Sequence, residues 1–180
     1  MKNQEFHFAL GDPGTAVATY IANGVESEFY LTNVCNPLGD MLCSIAQLLT
    51  NPSQIWEGSN TAAFTWYSEG DTYDWTLNVH SDDMMTIRTL QTSDFFGNEA
   101  IEIVNVKCHI DDFVGCVVSE LDKFIKSIGL LNYQQQWQTA EFPLTYFLIL
   151  KRHLIERGHW TPEYAGDSLN ISTETQILMS

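Results

Sequence analysis

Apolar and polar residues alternate from Tyr73 to His80. Tyr73, Trp75, Leu77 and Val79 fall on one side, and Asp74, Thr76, Asn78 and His80 on the other. Successive side chains of a strand point to opposite faces, so this stretch reads as a half-buried strand with one wet face. It sits in a run of predicted strands over residues 62–68, 72–80, 84–90 and 100–110. Upstream, residues 5–10, 15–22 and 25–34 read as an antiparallel meander. Gly11-Asp12-Pro13-Gly14 makes its first turn and Asn23-Gly24 its second, a two-residue hairpin connection.

The period changes at Asn36-Pro37. Asn caps free helix amides and Pro is tolerated at the first helical position. Leu38, Met41, Leu42, Ile45, Leu48 and Leu49 then repeat at helical spacing, until Asn51-Pro52 ends the helix. A second helix is expected from Asp111 or Asp112, as its cap, to Ser127, with Gly129 closing it. Phe113, Val117, Leu121, Phe124 and Ile128 form its buried stripe, while Glu120, Asp122, Lys123 and Lys126 form its wet face. Residues 130–140 read as a connection. A third helix opens at Glu141-Phe142-Pro143, and Leu144 to Leu150 is apolar nearly all round, which calls for cover by the rest of the protein. Lys151, Arg152 and His153 concentrate positive charge near its C-terminal half. From Thr161 onward the chain is polar and weakly patterned.

Strands followed by segregated helices predict an α+β fold. The expectation is an antiparallel sheet of about six strands, with three main helices packed mostly on one face. Residues 1–160 would form a single domain, and 161–180 a loosely held polar tail. Two loops carry aromatics: Trp56 in 53–60, and Phe95 with Phe96 in the acidic stretch 93–99, either folded back over the core or exposed to a partner.

Charge changes the picture most. The 180 residues carry a net −15. Between Thr61 and Asp112, ten carboxylates face only Arg88 and Lys107, a local balance of −8. Nucleic acid is disfavoured, because affinity there comes from neutralising phosphates with Lys and Arg. Anionic membranes are disfavoured for the same reason, and the longest apolar run is far short of the roughly 20 residues that span a bilayer. A cationic partner is attracted, and long-range steering would speed its encounter. The N-terminal residues show no apolar signal core, and Cys35, Cys43, Cys108 and Cys116 form no CxxC pair; both fit a cytoplasmic address with reduced thiols.

Candidate chemistry is sparse. His80-Ser81-Asp82-Asp83 and His109-Ile110-Asp111-Asp112 share the pattern H-x-D-D, which could chelate a metal and serve a dinuclear hydrolase. The simpler expectation is turn chemistry for Asp82-Asp83 and a helix cap for Asp111-Asp112. There is no G-x-S-x-G elbow, no Walker A loop and no G-x-G-x-x-G, so neither a catalytic set nor a cofactor is expected. Trp66, Tyr67, Tyr73 and Trp75 lie in adjacent strands joined by an acidic turn. They are cross-strand pairs or, on an outer face, rigid anchors of a protein interface. The candidate partner-binding residues are therefore Trp66, Glu69, Asp71, Asp74, Asp82, Asp83, Asp94 and Glu99.

Three segments together resemble small acidic bacterial immunity proteins, those paired with contact-dependent growth inhibition and other polymorphic toxins. They are the helix opening Asn36-Pro37-Leu38-Gly39-Asp40-Met41-Leu42, the hairpin from Trp66-Tyr67-Ser68-Glu69-Gly70-Asp71 to Trp75, and the stretch Gly129 to Tyr133, Trp137 and Phe142-Pro143. The resemblance spans roughly residues 25–154. It implies inhibition by binding: a cytoplasmic protein that caps a toxin domain, many such toxins being nucleases with basic clefts. The rival expectations are the H-x-D-D hydrolase, a nucleic-acid mimic that blocks a DNA-binding protein, and a ligand-binding module with an apolar pocket.

Overall fold

Two hairpin-built sheets form, not one. The computed structural model describes residues 4–50, 60–80, 82–94, 99–161 and 171–180. β1 (Gln4–Leu10), β2 (Thr15–Ala22) and β3 (Val25–Thr32) pair antiparallel in that order. Asn23 and Gly24 both take positive φ, as a tight two-residue hairpin turn requires. β4 (Thr61–Tyr67), β5 (Asp71–Val79), β6 (Met84–Ser93) and β7 (Ile101–His109) form a second antiparallel meander. The expected class, α+β, holds. The expected single sheet of about six strands is corrected to sheets of three and four strands among the described residues.

The alternation that identifies each strand carries no information about which strands pair, and here β3 crosses the second sheet instead of joining it. Near its start Ser27 Oγ donates to Ile103 O of β7 at 3.1 Å, and at its end Thr32 Oγ1 donates to Tyr67 O of β4 at 3.5 Å. Those are the two edge strands of the four-stranded sheet. Five residues of strand span about 17 Å, enough to cross the roughly 14 Å between the outer strands of four. Phe29, in the middle of β3, accordingly meets Trp66, Tyr73 and Trp75 with ring centroids at 5.5, 5.2 and 4.9 Å.

Five helices are present among the described residues: α1 (Pro37–Thr50), α2 (Ile110–Ile128), α3 (Leu130–Trp137), α4 (Leu144–Glu156) and α5 (Ile171–Met179). α1 lies along β4, α2 along β1, and α4 against both α1 and α2. The predicted stripe of α2 is buried, with Ile128 half-buried at its end; Phe113 meets Tyr20 and Phe124 meets Phe8. Residues 130–140, read as a connection, contain α3. Its Tyr133 and Trp137 are fully buried, and Tyr133 stands edge-on to Phe124 and Phe142.

The last described residues, within the segment read as a polar tail, form a helix. α5 docks on α4 with Ile177 only 2% exposed, and Lys151 Nζ donates to Leu178 O at 3.3 Å. Trp56, Phe95 and Phe96 lie outside the described residues. No helix among the described residues is long and apolar enough to cross a membrane.

Candidate functional site

The β4–β5 turn collects acid from three separate stretches of chain. Ser68 N–H donates to Asp71 O at 2.9 Å, which places Glu69 at the exposed tip. Asp94 N–H donates to Gly70 O at 2.9 Å, so the end of β6 folds onto the same turn. Gln91 Nε2 holds Asp71 Oδ1 at 3.3 Å. Ile101 pairs with Gln91, which returns the exposed Glu99 to this end of the sheet. β3 delivers Glu28 and Tyr30 here as well. The buried Tyr73 hydroxyl bonds to the Tyr30 backbone and feels both Asp71 and Glu28. Burial first, and then the negative charge of Asp71, raises its pKa above the usual phenol value.

Two tyrosines stand out of this acid. Tyr30 is 56% and Tyr67 44% exposed, and Thr32 ties their strands together. Tyr30 also donates to Glu28, and that bond with its negative charge raises the phenol's pKa. Asp74 is exposed on the outer face of the same sheet, where Thr65 Oγ1 donates to it at 2.7 Å.

Trp66 does not belong to this surface. It is wholly buried, and its Nε1–H donates to Pro37 O at 2.9 Å, pinning the start of α1 to β4. The strand period decides this: Trp66 shares the inward face with Phe64, and Tyr67 takes the outward one. Asp82 and Asp83 are exposed too, but in the β5–β6 turn at the opposite end, roughly 25 Å away along strands of this length. The eight candidates therefore divide. Glu69, Asp71, Asp94 and Glu99 gather, Asp74 flanks them, Asp82 and Asp83 lie apart, and Trp66 is core.

At that far end the two H-x-D-D segments do meet. Met84 pairs with His109, and Ile110 N–H donates to Asp83 O at 2.9 Å. Cations, however, engage the carboxylates. Arg157 Nη2 bonds Asp83 at 2.8 Å while its Nε bonds Asp111 at 3.0 Å, and Lys107 stands 3.9 Å from Asp82. His80 is turned to Thr86 Oγ1 at 2.8 Å. Among the described residues, no three of His, Cys, Asp and Glu group so as to hold a metal ion.

Asp111 is the hub of this end. Its nearly buried carboxylate takes His153 Nε2 at 2.8 Å, Arg157 Nε at 3.0 Å and His159 Nε2 at 3.2 Å. Burial alone would raise its pKa; the bonds from His153 and Arg157 outweigh burial and hold the carboxyl below its ordinary value. It is not the helix cap. That role falls to His109, whose Nδ1 accepts the Asp111 N–H at 3.3 Å. The spacing of His153 and Arg157 at the end of α4 was the available signal, since positions four apart share a helix face; His159 lies past the helix end.

A second carboxylate was also misplaced by pattern. Asp122, assigned to a wet face, is buried and bonds the fully buried Lys151 at 2.8 Å, with Lys126 at 2.9 Å on its other oxygen. Burial lowers the Lys151 pKa more than Asp122 restores it. Its ammonium also lies 4.8 Å from the centre of the Trp160 ring.

No protein-family model, no curated protein and no solved structure matches this chain.

Proposed function

We propose that this protein is an immunity-type inhibitor that binds and neutralises a cationic bacterial toxin domain, of the nuclease kind, by occluding its active site. The observation that carries the reading is the distribution of unpaired charge. Six of the seven described Lys and Arg residues are engaged by carboxylates: Arg88 by Glu102, Lys107 by Asp82, Lys126 and Lys151 by Asp122, Arg152 by Glu156, Arg157 by Asp83 and Asp111. No such ion pair engages Glu28, Glu69, Asp71, Asp94 or Glu99 among the described residues. They lie toward the same end of the sheets as exposed Tyr30 and Tyr67, with no ion-pair cation among the described residues.

Tyrosine is enriched in interface hot spots, and an arginine laid over its ring gains cation–π attraction while its fork reaches the carboxylates. The uncompensated acid draws a basic cleft from a distance, which suits an inhibitor that must reach its target before the target acts. What favours this over the hydrolase reading is that Arg157 and Lys107 already hold three of the carboxylates a metal would need.

Co-expression with the product of the adjacent upstream reading frame tests the proposal. A 1:1 complex that dissociates at high salt and abolishes the partner's toxicity is expected. Toxicity undiminished by this chain, with no co-purification, would refute the immunity reading.

A further inference from the structure

Next to the acidic end, two depressions abut along the segment from Glu141 to Leu144, where the chain enters α4. One, of about 600 Å³, lies between this segment and α1 and is bordered by Asp40, Cys43 and Tyr146. The other, of about 220 Å³, lies between the same segment and α3 and is bordered by Leu130, Leu131 and Gln134. Phe142 and Leu144 belong to both. Exposed apolar groups are concentrated here: Leu131 is 79% exposed with Leu130 next to it at the smaller depression, and Tyr146 is exposed at the larger one. The charged residues bordering the pair are Asp40 and Glu141, with no Lys or Arg. Asp40 has no ion-pair partner among the described residues, and burial raises its pKa above the ordinary carboxylate value.

We infer that this double depression seats an amphipathic basic helix of the protein's partner, its apolar residues filling the two dents and its Lys or Arg residues meeting Asp40 and Glu141. The inference rests on the reading of the chain as a binding protein. A helix places apolar side chains on one face every three or four residues, about 5–6 Å apart, and two turns separate residues by about 10 Å. One helix can therefore set a knob on each side of the Glu141–Leu144 ridge, the helix-in-groove mode of recognition. Like charge turns away an acidic helix, and the carboxylates equally repel an anionic membrane. The surface is continuous with the tyrosines: Thr32 binds Tyr67, Thr139 Oγ1 donates to Asn33 O at 2.9 Å, and Asn36 borders the same depression as Tyr146.

The test uses the full chain and two labelled helical peptides with the same leucine pattern, one with lysine on its polar face and one with glutamate. Fluorescence anisotropy should show saturable binding of the lysine peptide alone. Leu131→Asp and Glu141→Lys, both at exposed positions that the fold does not depend on, should each weaken it tenfold or more. Asp71→Asn, at the tyrosine end, should leave it unchanged. Binding of both peptides alike, or loss with Asp71→Asn instead of Leu131→Asp, would overturn the inference. So would self-association of the chain that Leu131→Asp abolishes, which would give the depression to a second copy. Toxin capture that survives Leu131→Asp, with no peptide bound by the wild type, removes the helix site and leaves the proposed function standing. Peptide binding without toxin capture does the reverse.

Discussion

Lys151 shows how much one residue can hide from sequence reading. With its neighbours Arg152 and His153 it reads as one of three adjacent positive charges, yet it is the fully buried member, joined to Asp122 on α2 and to the carbonyl of Leu178 on α5. A helix turns about 100° per residue, so adjacent cations need not share a surface. Removing one partner of a buried pair costs about 3–5 kcal/mol, because the other charge is left uncompensated. Lys126 still neutralises Asp122, which sets the expectation for Lys151→Met at the low end, about 3 kcal/mol by urea unfolding. The double variant Lys151→Met with Asp122→Leu should lose less than the single one. Equal losses would mean that the charge pair is not what Lys151 contributes.

Asp111 makes the corresponding prediction in pH. Its folded pKa is depressed, so its stabilisation is fully present above the unfolded value, about 3.9, and disappears as pH falls through the lower folded value. Asp111→Asn should lower stability by about 2 kcal/mol at pH 7, the scale of charge-assisted hydrogen bonds. The difference from wild type should shrink as pH falls below about 4. A difference that holds constant down to pH 2.5 would show that the bonds to His153 and Arg157 do not depend on the charge.

At the scale of elements, local pattern was readable and partnership was not. Residue pattern and turn signals placed the seven described strands with boundaries within a few residues, and the turn chemistry of Asn23-Gly24 located the second hairpin. β6 runs three residues beyond its predicted end because Gln91, Thr92 and Ser93 pair with Tyr73, Thr72 and Asp71, a long-range fact that no local pattern records. The same holds for β3, whose outward residues look alike whether it joins the second sheet or crosses it. α3 was missed because its apolar content is confined to Leu130, Leu131, Tyr133 and Trp137, too few for a clear helical period.

α5 supplies the element-scale test. Ile→Ala at a buried site costs about 2–5 kcal/mol, and a terminal helix packed on one neighbour belongs at the lower end. Ile177→Ala is expected to abolish hydrogen-exchange protection in residues 174–179 while leaving the strands protected. Unchanged protection there would mean that α5 does not depend on its contact with α4.

For the whole molecule, charge sign and fold class were legible from composition and pattern, whereas the site was legible only as a list. Glu69, Asp71, Asp94 and Glu99 converge because Asp94 folds onto Gly70 and Ile101 pairs with Gln91. Glu28 and Tyr30, which sequence reading left out, join them because β3 crosses the sheet. Tyr67 replaces its neighbour Trp66 as the exposed aromatic. The candidate surface is thus one end of the molecule, and Asp82 serves as an acidic control at the other.

The most direct test is the association rate of the proposed toxin complex by stopped flow, at low and high salt. Steering by charge raises such rates by about 10- to 1,000-fold and fades as salt screens it. Glu28→Gln, Glu69→Gln, Asp71→Asn and Asp94→Asn combined should slow association at least about tenfold at low salt and little at high salt, while Asp82→Asn leaves it near wild type. Wild-type rates in the combined variant, or slowing by Asp82→Asn alone, would contradict the assignment of the binding surface to the Tyr30 and Tyr67 end.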